Sequence, residues 1–181
     1  MSIEDAYTRW STSYDRDPNR TRDLDAEVTR EWLGGRRFRS ILEIGCGTGK
    51  NTEFLATIAE RVTAIDFSPG MLRQAQAKVT AENVEFATVD VTAPWPFVNG
   101  AFDLAVCNLV VEHVRDLNAV FAKAARCLAP GASSFSANCT PSGSMRERRR
   151  TSPARARRWS SLRLCITFLS SFSRPRRMDL C

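Results

Sequence analysis

The chain has 181 residues, 43% hydrophobic and 25% charged, an ordinary soluble composition long enough for one domain with a real core. No window approaches the ~20 unbroken apolar residues of a membrane span, and the N-terminus is acidic and polar where a signal peptide would carry a basic start and an apolar run, so a cytoplasmic protein is expected. The net charge is +6, yet residues 1–130 carry 15 basic against 18 acidic side chains and residues 131–181 carry 11 against 2, so the excess basicity lies wholly in the tail.

Ser2 to about Asp15 places Ile3, Ala6, Tyr7, Trp10 and Tyr14 at three- and four-residue spacings, which predicts an amphipathic helix with an aromatic stripe. Asp17-Pro18-Asn19 ends it, and a second helix runs from near Thr21 to Leu33, where Gly34-Gly35 supplies a stop. Ile41 to Ile44 reads as a buried strand, followed by a glycine turn and a helix from Thr52 to Glu60. Val62 to Asp66 is the next strand, Ser68-Pro69 starts a helix from Gly70 to Thr80, and Val84 to Thr88 and Phe102 to Cys107 are the third and fourth strands. Val111 to Leu128 reads as helix with a break near Asp116-Leu117-Asn118, ended by Ala129-Pro130-Gly131.

Strand, turn and helix repeating at roughly 20-residue intervals predict an α/β fold of the Rossmann-like, doubly wound kind, a mostly parallel sheet with helices on both faces. Three regions are expected: an N-terminal helical lid segment over 1–36, a core over 37–131, and a basic Ser/Arg-rich tail over 132–181. In the tail the periodicity stops. It holds 11 serines and 11 arginines, and the C-terminal strands are expected to be missing or disordered.

Cys46, Cys107, Cys127, Cys139, Cys165 and Cys181 form no Cys-x-x-Cys pair and His113 is the only histidine, so neither a metal site nor a disulfide framework is expected. The glycine turn is the chemical signal. A glycine-rich turn between strand and helix lets the backbone approach a ligand closely and leaves helix N–H groups for an anionic group. The dinucleotide fingerprint wants a third glycine where Lys50 stands, and the spacing here is Gly45-x-Gly47-x-Gly49, which weakens a dinucleotide reading.

With Glu43 before it, Leu42-Glu-Ile-Gly-Cys-Gly-Thr-Gly49 resembles the first motif of class I S-adenosylmethionine-dependent methyltransferases. Val62 to Leu72, Val84 to Val91 and Phe102 to Val110 fit the second, third and fourth motifs in order, and Cys127-Leu-Ala-Pro-Gly131 resembles the turn before the family's fifth strand. The resemblance implies S-adenosyl-L-methionine as cofactor. Glu43, Gly45, Cys46, Gly47 and Gly49 would hold its methionine part, Asp66 and Phe67 the ribose and adenine edge, and Asp90 and Val91 the adenine, with Met71 a further cofactor-binding residue. Asn108 would line the transfer site. The N-terminal Tyr7, Trp10, Tyr14-Asp15 and Arg20 to Asp25 resemble the lid of a small-molecule subgroup, which implies a small-molecule methyl acceptor rather than nucleic acid or membrane.

Methyl transfer is an in-line displacement that needs alignment more than acid–base chemistry. Where the acceptor must lose a proton, His113 or Tyr14 is the candidate base, although His113 also reads as a partly buried polar residue. Cys46 reads as packing rather than nucleophile, Asp90 as an adenine ligand or the cap of a turn, Asp103 as a strand-edge residue, and the Tyr7, Trp10, Tyr14 stripe as core in the first instance.

The tail admits a separate reading. The resemblance breaks at Gly131, and a frame beginning one base earlier can, with codons chosen to favour sense, turn Ala132 to Glu147 into GKLLLCELHPFRQYEG and Trp159 to Phe172 into VVIPAFVHHVSEFL. Both strings continue such a methyltransferase, so an out-of-frame tail is expected, and with it a truncated, non-catalytic product as the alternative to an active enzyme. Nucleic-acid-directed methylation through the basic tail is a further alternative.

Overall fold

The computed structural model describes residues 3–110, 114–140, 163–170 and 176–180, with side chains up to residue 134. Two helices come first, α1 (Ile3–Trp10) and α2 (Arg20–Leu33). Strand β1 (Phe38–Ile44) follows, then α3 (Thr52–Ile58), β2 (Ala59–Asp66), α4 (Pro69–Lys78), β3 (Val84–Thr88), β4 (Phe102–Asn108) and α5 (Leu117–Cys127). Strands β5 (Leu128–Thr140), β6 (Arg163–Ser170) and β7 (Arg176–Leu180) complete the element order.

The sheet order is β3-β2-β1-β4-β5-β6-β7, with every pair from β3 to β5 parallel. The α/β reading therefore holds. The chain builds outward from β1 through β2 and β3, then returns to add β4 on the other side, so the carboxyl ends of β1 and β4 flank a switch point where such sheets open a ligand crevice. Side-chain alternation along β1 sends Ile41 into a core with Leu33, Leu55, Val62 and Leu104, and sends Leu42 and Ile44 into one with Ile65, Phe102, Val120 and Cys127. Glu43, at the Ile41 parity, points to the α2–α3 side of the sheet.

Capping explains where the helices start. Asn19 accepts from the Arg22 N–H, Ser68 from the Met71 N–H ahead of Pro69, and Asp116 from the Ala119 N–H. Helix α1 ends at Trp10, short of the expected Asp15. The hydroxyls of Ser11, Thr12 and Ser13 turn back onto the carbonyls of Thr8, Arg9 and Trp10 and divert the chain into turns. Helix α5 begins at Leu117, at the expected break.

The expectation about the last strands needs correction. Strand β5 runs through Gly131, its register against β4 shifting between Phe102 and Leu104, while β6 pairs antiparallel to β5 and β7 antiparallel to β6. Leu164 to Leu169 is the run of apolar and β-branched residues that makes β6 possible, a signal masked by the serine and arginine around it. Among the described residues, no helix is long and apolar enough to cross a membrane.

Candidate functional site

A cavity of about 610 Å³ opens at the switch point. Its floor is the end of β1 and the glycine turn, with Glu43, Gly45, Cys46, Gly47 and Thr48; β2 and its sequel contribute Asp66, Phe67 and Met71. Asp90 and Val91 stand beyond β3, Asn108 ends β4 and Val110 follows it. Helix α2 closes one wall with Arg22 and Asp25, and α1 with the following turns brings Tyr7, Trp10 and Tyr14 over the mouth.

The turn is shaped to approach the next strand. Gly45 has φ +73°, and a Cβ there would fall 2.0 Å from Val110 Cγ2, so only glycine fits. The N–H groups of Gly45 and Cys46 both donate to Ile65 O, at 2.7 and 3.0 Å. Gly47 N donates to Asp66 Oδ2 at 2.9 Å, and Gly49 N to Cys46 O at 2.9 Å. The expected anion cradle is thus spent internally. Three of these N–H groups hold the turn to β2, the fourth closes the turn on itself, and none of the four is left for a phosphate.

Buried carboxylates face the cavity instead. Glu43 is 4% exposed, accepts from Thr52 Oγ1 at 2.6 Å, and is pushed up to about 8 by burial first and then by the nearby charges of Asp25 and Asp66. Asp25 is pushed up to about 6 by burial, opposed by the nearby side-chain amides of Asn51 and Asn108. Asp66 is raised by burial and is opposed by the N–H groups of Ser68, Gly47 and Phe67; its Oδ1 accepts from Ser68 N at 2.9 Å. Arg22, the cation in the α2 wall, is committed to Tyr14 O at 2.5 Å and Asp17 O at 2.7 Å, while Lys50 pairs with Asp23 at 2.5 Å.

Of the residues expected to bind a cofactor, Glu43, Gly45, Cys46, Gly47, Asp66, Phe67, Met71, Asp90, Val91 and Asn108 come together in this one cavity. Gly49 does not. It faces α4, where Val79 and Ala75 are its neighbours, and its place is a packing one. Asp90 Oδ1 accepts from both the N–H and the hydroxyl of Thr92, at 2.8 and 2.7 Å, so the residue caps its own turn as well as lining the cavity. Asp103 takes the Arg39 and Ser40 N–H groups at 2.8 and 2.9 Å, joining the start of β4 to β1, in keeping with a strand-edge role. The Cys46 thiol is buried and raised well above its ordinary value by that burial, which suits packing and not attack.

His113 lies outside the described residues. Tyr14 lines the cavity, and burial raises its phenol above the ordinary value despite the nearby Arg22. The aromatic stripe is not core. Helix α1 buries none of its residues, and Phe67, Tyr7, Trp10 and Tyr14 run in successive ring contacts of 5.7, 6.0 and 4.5 Å along the cavity. Sequence reasoning gave no role to Thr29, Asn51 or Asp25 as individual groups. Asn51 Nδ2 donates to Asp25 Oδ2 at 2.8 Å and Asn108 Nδ2 to Thr29 Oγ1 at 2.9 Å, fastening α2 to the sheet. The signal was present as Arg22, Asp25, Thr29 and Leu33, a stripe at three- and four-residue spacing that runs polar into the buried Leu33.

The methyltransferase-domain family model matches residues 41–131, half of the chain and the whole floor of the cavity. This chain belongs to the class I S-adenosylmethionine-dependent methyltransferase family. The chain is 33% identical over 130 residues to the malonyl-[acyl-carrier protein] O-methyltransferase of Pseudescherichia vulneris, covering 72% of this chain and 50% of that protein. It is 33% identical over 117 residues to the ubiquinone biosynthesis O-methyltransferase of Xanthomonas euvesicatoria pv. vesicatoria, covering 62% and 46%. The chain thus spans about half the length of the curated relatives it matches. Among solved structures, DhpI in a complex with SAM and HEP superposes with a TM-score of 0.67 at 25% identity, covering 87% of this chain and 69% of that one.

Proposed function

We propose that the cavity binds S-adenosyl-L-methionine and that the chain transfers its methyl group to an oxygen of a small-molecule acceptor. The observation that carries this is the electrostatics of the glycine turn. The N–H groups of Gly45, Cys46, Gly47 and Gly49 are used internally, and three buried carboxyl groups, Glu43, Asp25 and Asp66, stand around the turn. A pyrophosphate would meet charge repulsion there, whereas a ligand with positive charge would relieve it. The relatives' names favour oxygen as the acceptor atom.

The bound cofactor supplies an activated methyl on a sulfonium. The chain's residues hold and orient: Asp66, already fixed by Gly47 and Ser68, keeps lone pairs for ribose hydroxyls, and Asp90 and Val91 border the adenine end. Asn108, held by Thr29, ends β4 at the transfer site. The aromatic lip of Tyr7, Trp10 and Tyr14 excludes water and presents π faces to a cation. Calorimetric titration of the full chain with S-adenosylhomocysteine tests the binding. Saturable heat lost in Asp66→Ala is expected, and its absence from folded wild-type protein would overturn the reading. Methyl transfer to malonyl-carrier or phenolic acceptors tests the second half.

One observation favours a second reading of the tail. The family match ends at residue 131, where the composition turns to serine and arginine. We infer that residues 132–181 are read out of frame, which leaves an ancestral enzyme's cofactor half with a foreign tail. Sequencing codons 128–135 in independent isolates decides it, and an uninterrupted frame with no single-base difference from relatives would sink the inference. Nucleic-acid-directed methylation predicts instead a binding that weakens steeply with salt.

A further inference from the structure

Two buried oxygens in the cavity wall have no hydrogen-bond partner among the described residues, Asp25 Oδ1 and Asn51 Oδ1. Both residues line the cavity, at 4% and 8% exposure. Their orientation is mutual. Asn51 Nδ2 donates to Asp25 Oδ2 at 2.8 Å, and because an ionised carboxylate has no hydrogen to give, turning the amide over would set oxygen against oxygen. Asn51 is therefore held with its own oxygen outward. Glu43, in the same floor, adds a third carboxyl group, which accepts from the Thr52 hydroxyl.

Buried acceptors left unpaired carry the full desolvation penalty, and in an open cavity a ligand or water that completes them removes it. The complement of two carbonyl-type oxygens, one of them charged, is a group with several N–H donors and positive charge. Among the described residues the two cations of the cavity wall are committed elsewhere, Arg22 to Tyr14 O and Asp17 O, and Lys50 to Asp23. We propose that Asp25 and Asn51 form the subsite for the α-ammonium at the methionine end of the cofactor, contributed by α2 and the α3 entry rather than by the glycine turn. This rests on the cofactor reading above. It makes the pair a specificity device: an adenosine derivative without the ammonium leaves both oxygens unpaired, so the site selects nucleosides that carry an amino-acid end.

Calorimetric titration of the full chain, as wild type and as Asp25→Asn, with S-adenosylhomocysteine and its deaminated analogue, which keeps the carboxylate, tests the proposal. Wild type should bind S-adenosylhomocysteine at least about tenfold more tightly than the analogue. Asp25→Asn should weaken S-adenosylhomocysteine by about tenfold or more and leave the analogue within about twofold. Asn51→Leu should show the same selective loss, which guards against a folding effect peculiar to one variant. Parallel loss of both ligands, or unchanged affinity for S-adenosylhomocysteine as expected if water fills the subsite, overturns it. A folded wild type that binds neither ligand overturns the cofactor reading itself, and the subsite with it.

Discussion

Glu43 shows at the scale of one residue how the site costs stability. Its carboxyl is pushed from 4.5 up to about 8, so the ligand-free fold prefers it protonated. A folded pKa above the unfolded one contributes stability that is fully present below about pH 4.5 and is lost as pH rises through about 8. Asp25, raised to about 6, has the same sign over a lower window. Glu43→Gln keeps an oxygen for Thr52 and removes the charge, so thermal melts should show a gain of several degrees at about pH 9 and none at about pH 4. A gain equal at both pH values would mean that charge is not the cause. The same residues show what the sequence could and could not display. Glu43 and its glycines are contiguous and legible as a motif, whereas the Asp25–Asn51 bond joins residues 26 apart and exists only because α2 folds back on the turn.

One element, α1, positions the site without forming the main core. Helix α1 buries none of its residues, yet it sits on α4 where Gly70 lacks a Cβ: one there would come within 2.7 Å of Thr8 Cα. The Thr8 and Ser68 hydroxyls bond at 3.0 Å nearby, and Asp15 reaches Thr48 at 2.7 Å and pairs with Lys78. Gly70→Ala should therefore push α1 off while raising intrinsic helix stability in α4 by up to about 1 kcal/mol. The expected signature is unchanged or higher global stability with faster proteolysis before residue 20 and weaker S-adenosylhomocysteine binding. A fall in the main melting transition would show that α1 is part of the core after all.

On the other side, Lys123 of α5 donates to the carbonyls of Val91, Thr92 and Ala93 at 2.9, 2.8 and 2.8 Å, and fixes the segment beyond β3 that lines the cavity. Lys123→Met should cost about 1–3 kcal/mol in urea unfolding, at unchanged m-value, and loosen cofactor binding. Boundaries at this scale were legible where a cap or proline marks them, as at Ser68-Pro69 and Asp116. They were missed where side chains compete with the backbone, as in the Ser11 to Ser13 hydroxyls that stop α1 early.

Over the whole molecule, the parallel half of the sheet was legible because each strand is a short apolar run between turn signals, and the antiparallel end was not. Strand β5 is flanked by β4 and β6 and so occupies an interior position, yet its sequence from Ala132 to Thr140 includes Ser133, Ser134, Ser136 and Asn138. Such residues have low strand propensity for an interior position. The out-of-frame reading accounts for the mismatch and can be tested on the protein. Replacing residues 132–147 with GKLLLCELHPFRQYEG puts three consecutive leucines in the centre of β5. Each leucine taken from water contributes about 1.5–3 kcal/mol, and at about 2–4 °C per kcal/mol for a chain of this size even partial burial predicts a melting temperature higher by several degrees. Higher soluble yield should accompany it, because an interior strand that packs well exposes less apolar sheet surface. If the replacement leaves both properties unchanged or lowers them, residues 132–147 as they stand are the strand this sheet is built for, and the frame inference fails.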